Sequence, residues 1–182
     1  MTGSPATSIS LPPLTLVIGG ARSGKSTLAE GLVRGTGRPR VYIATAQARD
    51  DEMREKIARH QLARGDDWHT VEAPRNLAPV LEAANRDQIV LLDCATLWLS
   101  NQLLADADLP AECAALLAAL ARCAAPVVVV TNEVGWSVIP DNALARRFSN
   151  AQGRLNQMLA AQAGLVVAVL AGLPLVLKGT LP

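Results

Sequence analysis

The chain has 182 residues, 50% of them apolar and 18% charged, with 17 Lys+Arg against 16 Asp+Glu for a formal charge of +1. This balance excludes a disordered chain and suits one compact domain with a single sizeable core. The near-neutral charge, and the few aromatics Trp68, Trp98, Trp136, Tyr42 and Phe148, exclude a nucleic-acid-stacking surface, so no nucleic acid is expected as partner.

Residues 1–13, rich in Ser, Thr and Pro, lack both a basic start and a long apolar run and read as a flexible tail, leaving 14–182 as the domain. Leu14–Ile18 is a short apolar run ending in glycines, the pattern of a buried strand, and 26–35 follows as a helix with Leu28, Leu32 and Val33 on one face. Strands are expected at Arg40–Ala44, Trp68–Glu72, Ile89–Leu92, Val127–Val130 and Leu165–Leu170. Helices are expected at 50–64, where Asp50, Asp51 and Glu52 suit the positive end, and at 76–85, 111–123 and 142–163. Ala171-Gly172-Leu173 reads as a turn into a last short strand, Leu175–Leu177. Continuous apolar strands alternating with helices predict one α/β domain with a mostly parallel, doubly wound sheet and an antiparallel hairpin at its C-terminal edge.

Cys94, Cys113 and Cys123 form neither a C-x-x-C pair nor a metal spacing with His60 and His69, which reads as reduced thiols in a cytoplasmic protein. The near-apolar stretch Leu165 to Leu177 is too short to cross a bilayer and contains Gly172 and Pro174, so no membrane span is expected.

The segment Gly19-Gly20-Ala21-Arg22-Ser23-Gly24-Lys25-Ser26 satisfies Gly-x-x-x-x-Gly-Lys-Ser between a strand and a helix. Glycines allow backbone N–H groups to turn inward onto phosphate oxygens, and the helix start adds N–H donors and the positive end of its dipole. Lys25 is placed to reach the terminal phosphates and the Ser26 hydroxyl to ligate Mg²⁺. The second anion that such a loop needs is expected in Asp93, after the apolar Ile89–Leu92, as the other metal contact. Glu133, after Val127–Thr131, occupies an equivalent strand end and is a weaker candidate for contact with metal or substrate.

Kinases, switches and motors all share this loop, so the rest of the chain must discriminate. Ile18 to Ser26 closely resembles the bifunctional adenosylcobinamide kinase/adenosylcobinamide-phosphate guanylyltransferase family of cobalamin synthesis. The resemblance continues through Tyr42–Thr45, Asp51–Met53, the helix carrying His60, Trp68–Glu72 and Leu91–Cys94. It then runs through Thr131–Gly135, Pro140–Arg147, Gly153–Gln157 and Gly172–Lys178, covering nearly all of the chain from Leu14.

The resemblance implies a RecA-like P-loop domain that uses GTP and ATP as substrates with Mg²⁺. It implies phosphorylation of the aminopropanol hydroxyl of adenosylcobinamide, followed by transfer of GMP from GTP to that phosphate. By position in the motif, His60 is the residue matching the family's GMP-carrying nucleophile. The nucleotide is expected near Ala44, Thr45, Ala46, Gln61, Leu62, Ala63, Arg64, Glu72 and Asp93, with Glu72 suited to accept from guanine N1–H and N2–H₂. The resemblance also implies a homo-oligomer, a trimer among the assemblies. Arg64-Gly65-Asp66 departs from the family's Arg-Pro and puts the local loop shape in question.

Read without the resemblance, His60 shares a helical face with Met53, Ile57 and Arg64, where a histidine is more often a packed or surface residue than a catalytic one. Attack at the α- and γ-phosphorus from one loop requires either movement of the 50–64 helix or two nucleotide registers. Two alternatives stay open: a small-molecule kinase without nucleotidyl transfer, and a RecA-like ATPase in which Arg146 and Arg147 are the finger candidates.

Overall fold

The computed structural model describes residues 8–47, 67–136 and 138–182. Seven strands form one sheet: β1 (Leu14–Gly19), β2 (Arg40–Ala44), β3 (Trp68–Glu72), β4 (Ile89–Asp93), β5 (Val127–Asn132), β6 (Leu165–Leu170) and β7 (Leu173–Lys178). Their order is β3-β2-β4-β5-β1-β6-β7. Neighbours from β3 to β6 pair in parallel, and β7 closes the edge antiparallel to β6. This is the expected sheet and hairpin, with β7 two residues longer at its start and one at its end than Leu175–Leu177.

The described helices are α1 (Lys25–Gly35), α2 (Ala78–Ala83), α3 (Ala95–Leu104), α4 (Leu109–Arg122) and α5 (Ala143–Gln162). Strand alternation divides the apolar side chains between two layers. Val90 and Leu92 of β4, with Val127 and Val129 of β5, face α2, α3, α4 and α5. Ile89 and Leu91, with Val128 and Val130, face Ala29, Leu32 and Val33 of α1. Burial on both faces explains why these strands read as unbroken apolar runs.

The sequence reading contained no helix at Ala95–Leu104. Seven of the ten residues of α3 are buried, including Trp98, Leu99 and Asn101, so it lacks the one-sided apolar stripe that marks a surface helix. The expected helix at 50–64 lies outside the described residues.

Part of the stretch expected as a tail packs on the domain. Ile9 donates its N–H to the Gly35 carbonyl at 3.0 Å, and Ile9 and Leu11 pack against the α1-side core. Residues 8–13 therefore fasten onto the domain.

Candidate active site

Because β1 to β6 run parallel, their carboxyl ends and the loops that follow gather along one side of the sheet. The β1 end opens into Gly19–Gly24, where Ser23 donates its N–H to the Gly20 carbonyl at 3.3 Å. Two positions force glycine. A Cβ on Gly19 would lie 2.6 Å from both Ser23 Oγ and the Val169 carbonyl. Gly24 takes φ 94 as the N-cap of α1 and leaves only 3.3 Å between its Cβ position and Gly172 Cα. No side chain caps α1 and no acid occupies its first turn, so its N–H groups and positive dipole end stay available to an anion.

Lys25 donates to the Gly20 carbonyl at 3.2 Å, which keeps its ammonium over the loop. On the far side, the hairpin turn between β6 and β7 braces the loop: Gly172, with φ 81, donates its N–H to the Ser23 carbonyl at 2.9 Å. Ser23 Oγ and Asn132 Oδ1 are buried without a hydrogen-bond partner among the described residues. Two orphaned polar atoms beside the loop suit a polar ligand or its water.

Asp93 ends β4 in register with Ala44 of β2, and Ala44 is in register with Glu72 of β3. Asp93 Oδ2 accepts from the Tyr42 hydroxyl at 3.2 Å, and the Asp93–Cys94 peptide bond is cis. Glu72 is exposed two strands from Asp93, about 10 Å at ordinary strand spacing. Thr45, expected at the nucleotide, is fully buried. Its hydroxyl accepts from the Cys94 N–H and donates to the Cys94 carbonyl, both at 2.8 Å, so it ties β2 to β4. Burial, and secondarily the Asp93 carboxylate, push the Cys94 thiol up to about 11.

Mg²⁺ prefers hard oxygen donors and is usually held by one or two carboxylates together with substrate phosphates. Ser26 and Asp93 are such donors, and no group of three or more His, Cys, Asp or Glu forms a metal cage among the described residues. The residues present therefore fit a phosphate-borne Mg²⁺.

Glu133 lies just past β5, whose last residue Asn132 is in register with Gly19. Its N–H donates to the Gly19 carbonyl at 3.1 Å, and its Oε1 accepts from the Gly135 N–H at 2.6 Å. Behind it is a buried polar cluster that the sequence reading missed. Thr131 donates to Asn156 Oδ1 at 2.8 Å and accepts from Gln152 Nε2 at 2.9 Å. Thr96 Oγ1 accepts from the Asn132 N–H at 2.7 Å, and Asn156 Nδ2 donates to the Asn132 carbonyl at 3.0 Å. The available signal was Gln152 and Asn156, four apart on one helical face otherwise lined by Leu155 and Leu159.

The structure thus brings together Gly19–Ser26, Asp93 and Glu133, with Ala44 and Glu72 farther along the same side. His60, Gln61, Leu62, Ala63 and Arg64 lie outside the described residues. The finger candidates are engaged within the chain: Arg146 donates to the Pro140 and Asp141 carbonyls, and Arg147 pairs with Asp106 at 3.7 Å.

A family model described as cobinamide kinase / cobinamide phosphate guanyltransferase matches residues 15–177. The bifunctional adenosylcobalamin biosynthesis protein CobP of Pseudomonas aeruginosa is 44% identical over 167 residues, covering 90% of this chain and 96% of that protein. The corresponding CobU of Escherichia coli is 41% identical over 181 residues, covering 91% and 99%. Among solved structures, an ATPase from the type III secretion system of pathogenic bacteria superposes with a TM-score of 0.53 at 13% identity. The match covers 85% of this chain and 50% of that one, and is a likeness of fold alone. With the family model spanning most of its length and relatives above 40% identity end to end, the chain belongs to the cobinamide kinase / cobinamide phosphate guanyltransferase family.

Proposed function

We propose that this protein phosphorylates the aminopropanol hydroxyl of adenosylcobinamide with a nucleoside triphosphate, ATP or GTP, and then converts the product to adenosylcobinamide-GDP with GTP. The observation that carries the reading is the uncapped α1 N-terminus and its glycine loop after β1, with Glu133 at the end of the adjacent strand and Asp93 one strand beyond, in a chain of this family.

In the kinase step the loop N–H groups and Lys25 hold the phosphates and offset charge as the γ-phosphoryl group transfers. Ser26 and Asp93 would hold Mg²⁺, which when bound neutralises phosphate charge. Glu72, exposed at the β3 end, accepts from guanine.

In the second step a His60 imidazole nitrogen attacks the α-phosphorus of GTP. A P–N bond forms and pyrophosphate leaves with the electron pair of the broken P–O bond. The cobinamide phosphate oxygen then attacks the same phosphorus, the P–N bond breaks, and His60 is regenerated. Dividing the transfer in two lowers each barrier.

The assignment is tested by incubating the protein with α-labelled GTP and Mg²⁺. The expected result is label on the protein that is acid-labile, base-stable and lost in His60→Ala. Undiminished label on that variant removes His60 from the mechanism, and no label on the parent leaves a kinase without nucleotidyl transfer.

The working form is a cytoplasmic homo-oligomer, a reading supported by β7. All six of its residues are exposed, with Leu173 at 71%, Leu175 at 52% and Leu177 at 60%. An apolar sheet edge of this kind is commonly covered by a second chain.

A further inference from the structure

We propose that Glu133 is the general base of the kinase step, taking the proton from the acceptor hydroxyl as that oxygen attacks the γ-phosphorus. The assignment rests on the family reading above and adds a role for a side chain outside the phosphate loop and the nucleotide contacts.

A base must sit beside the terminal phosphate, on a rigid support, with an oxygen directed to the incoming hydroxyl. Glu133 meets the first condition through its backbone: its N–H donates to the carbonyl of Gly19, the first residue of the phosphate loop, at 3.1 Å. It meets the second through its neighbours. Oε1 is fixed by the Gly135 N–H at 2.6 Å, and the loop folds so tightly there that a Cβ on Gly135 would lie 2.9 Å from that oxygen. The β5 end that carries it is anchored by Thr96, Thr131, Gln152 and Asn156. With Oε1 held, Oε2 accepts no hydrogen bond from a described residue and is left for the substrate.

The other carboxylates of the site are placed for different tasks. Asp93 is in register with Val130, two residues short of Asn132 and so about 7 Å lower along the strand direction. Its side chain accepts from the Tyr42 hydroxyl on the face covered by α1, the helix that carries Ser26 in its first turn. Glu72 lies two strands farther out. Glu133 instead begins the loop that carries Trp136, Val138 and Ile139, all at least 78% exposed. Such an apolar rim suits the approach of a large macrocyclic acceptor from this side rather than from the metal side.

The step balances as follows. The hydroxyl oxygen bonds to the γ-phosphorus, and the bond from that phosphorus to the β-bridging oxygen breaks. The nucleoside diphosphate leaves with the electron pair. The hydroxyl proton passes to Oε2 of Glu133 and from there to solvent once the product departs. A carboxylate has the same task in the catalytic loop of protein kinases.

The experiment compares the full-length parent with Glu133→Gln and Gly135→Ala in two separate assays. One is phosphorylation of cobinamide at saturating nucleotide; the other is guanylyl transfer from GTP to cobinamide phosphate prepared beforehand. Glu133→Gln is expected to lower kcat of phosphorylation about 100-fold or more. The nucleotide KM, the Mg²⁺ concentration for half-maximal rate and guanylyl transfer should all stay at parental values. Gly135→Ala, which pushes on Oε1, is expected to give a smaller loss confined to phosphorylation.

Parental phosphorylation by Glu133→Gln overturns the assignment, as does recovery of its rate in excess Mg²⁺, which marks a metal ligand. A parallel fall in both assays, in a variant that melts at the parental temperature, overturns it too. A parent that phosphorylates no cobinamide at all instead overturns the family reading.

Discussion

Cys94 follows directly on Asp93 at the end of β4, and its environment links the site to stability at high pH. Burial first, then the Asp93 carboxylate, raise its thiol from 9.0 to about 11. A raised folded-state value favours the neutral thiol, so its contribution to stability is whole below pH 9 and disappears as pH climbs toward 11. Two units correspond to about 2–3 kcal/mol. Urea titrations at pH 8 and pH 10.5 should show a loss that Cys94→Ala reduces; the same pH dependence in that variant refutes the linkage. Cys113 and Cys123 are raised in the same direction by burial, which is why the variant comparison is needed. At this scale the loop after β1 and the strand-end position of Asp93 were legible because each follows directly on its own apolar strand. The Thr45 hydroxyl was not, since its partner Cys94 is 49 residues away and no local pattern announces the pairing.

The polar cluster joining β5 to α3 and α5 is the element-scale counterpart. Thr131→Val keeps the shape of the side chain but removes one buried hydrogen bond from Gln152 Nε2 and one from Asn156 Oδ1, which keep only their bond to each other. The expected cost is about 1–3 kcal/mol, measured as a lower urea midpoint at unchanged m-value. It should come with slower cobinamide phosphorylation, because the β5 end carries Glu133. A midpoint at the parental value would show that the cluster contributes nothing net. The strands and the amphipathic helices α1 and α5 were readable from period and punctuation. Helix α3 was hidden because Trp98 and Leu99, with Asn101 and Gln102, are buried at once, erasing the 3.6-residue contrast. Asn101 explains the polar residues there: its Nδ2 donates to the Thr45 carbonyl at 2.8 Å and the Pro74 carbonyl at 2.9 Å, joining the β2 and β3 ends.

For the whole molecule, the exposed β7 edge is the proposed subunit contact. Leu175→Glu places a charge on an exposed position of a strand paired with β6, so folding should survive while self-association weakens. Light scattering coupled to size-exclusion chromatography should report a smaller species than the parent. An unchanged mass would place the subunit contact elsewhere. The alternating order of strands and helices was enough to derive the sheet and its edge hairpin, because each connection reverses across a sheet covered on both faces. What covers β7 was not legible, since a leucine in an edge strand reads the same whether it meets its own core or another chain.

The single bond from the Gly172 N–H to the Ser23 carbonyl joins these two ends of the molecule. The turn that starts β7 also holds the phosphate loop. If β7 is the subunit contact, as proposed, a triphosphate that tightens the loop pulls on the rim of that contact, and a neighbouring subunit that seats the rim tightens the loop. Linkage requires the two effects to be equal in free energy. On that proposal, the change that GTP makes in subunit association and the change that association makes in GTP affinity are one coupling energy read from two sides.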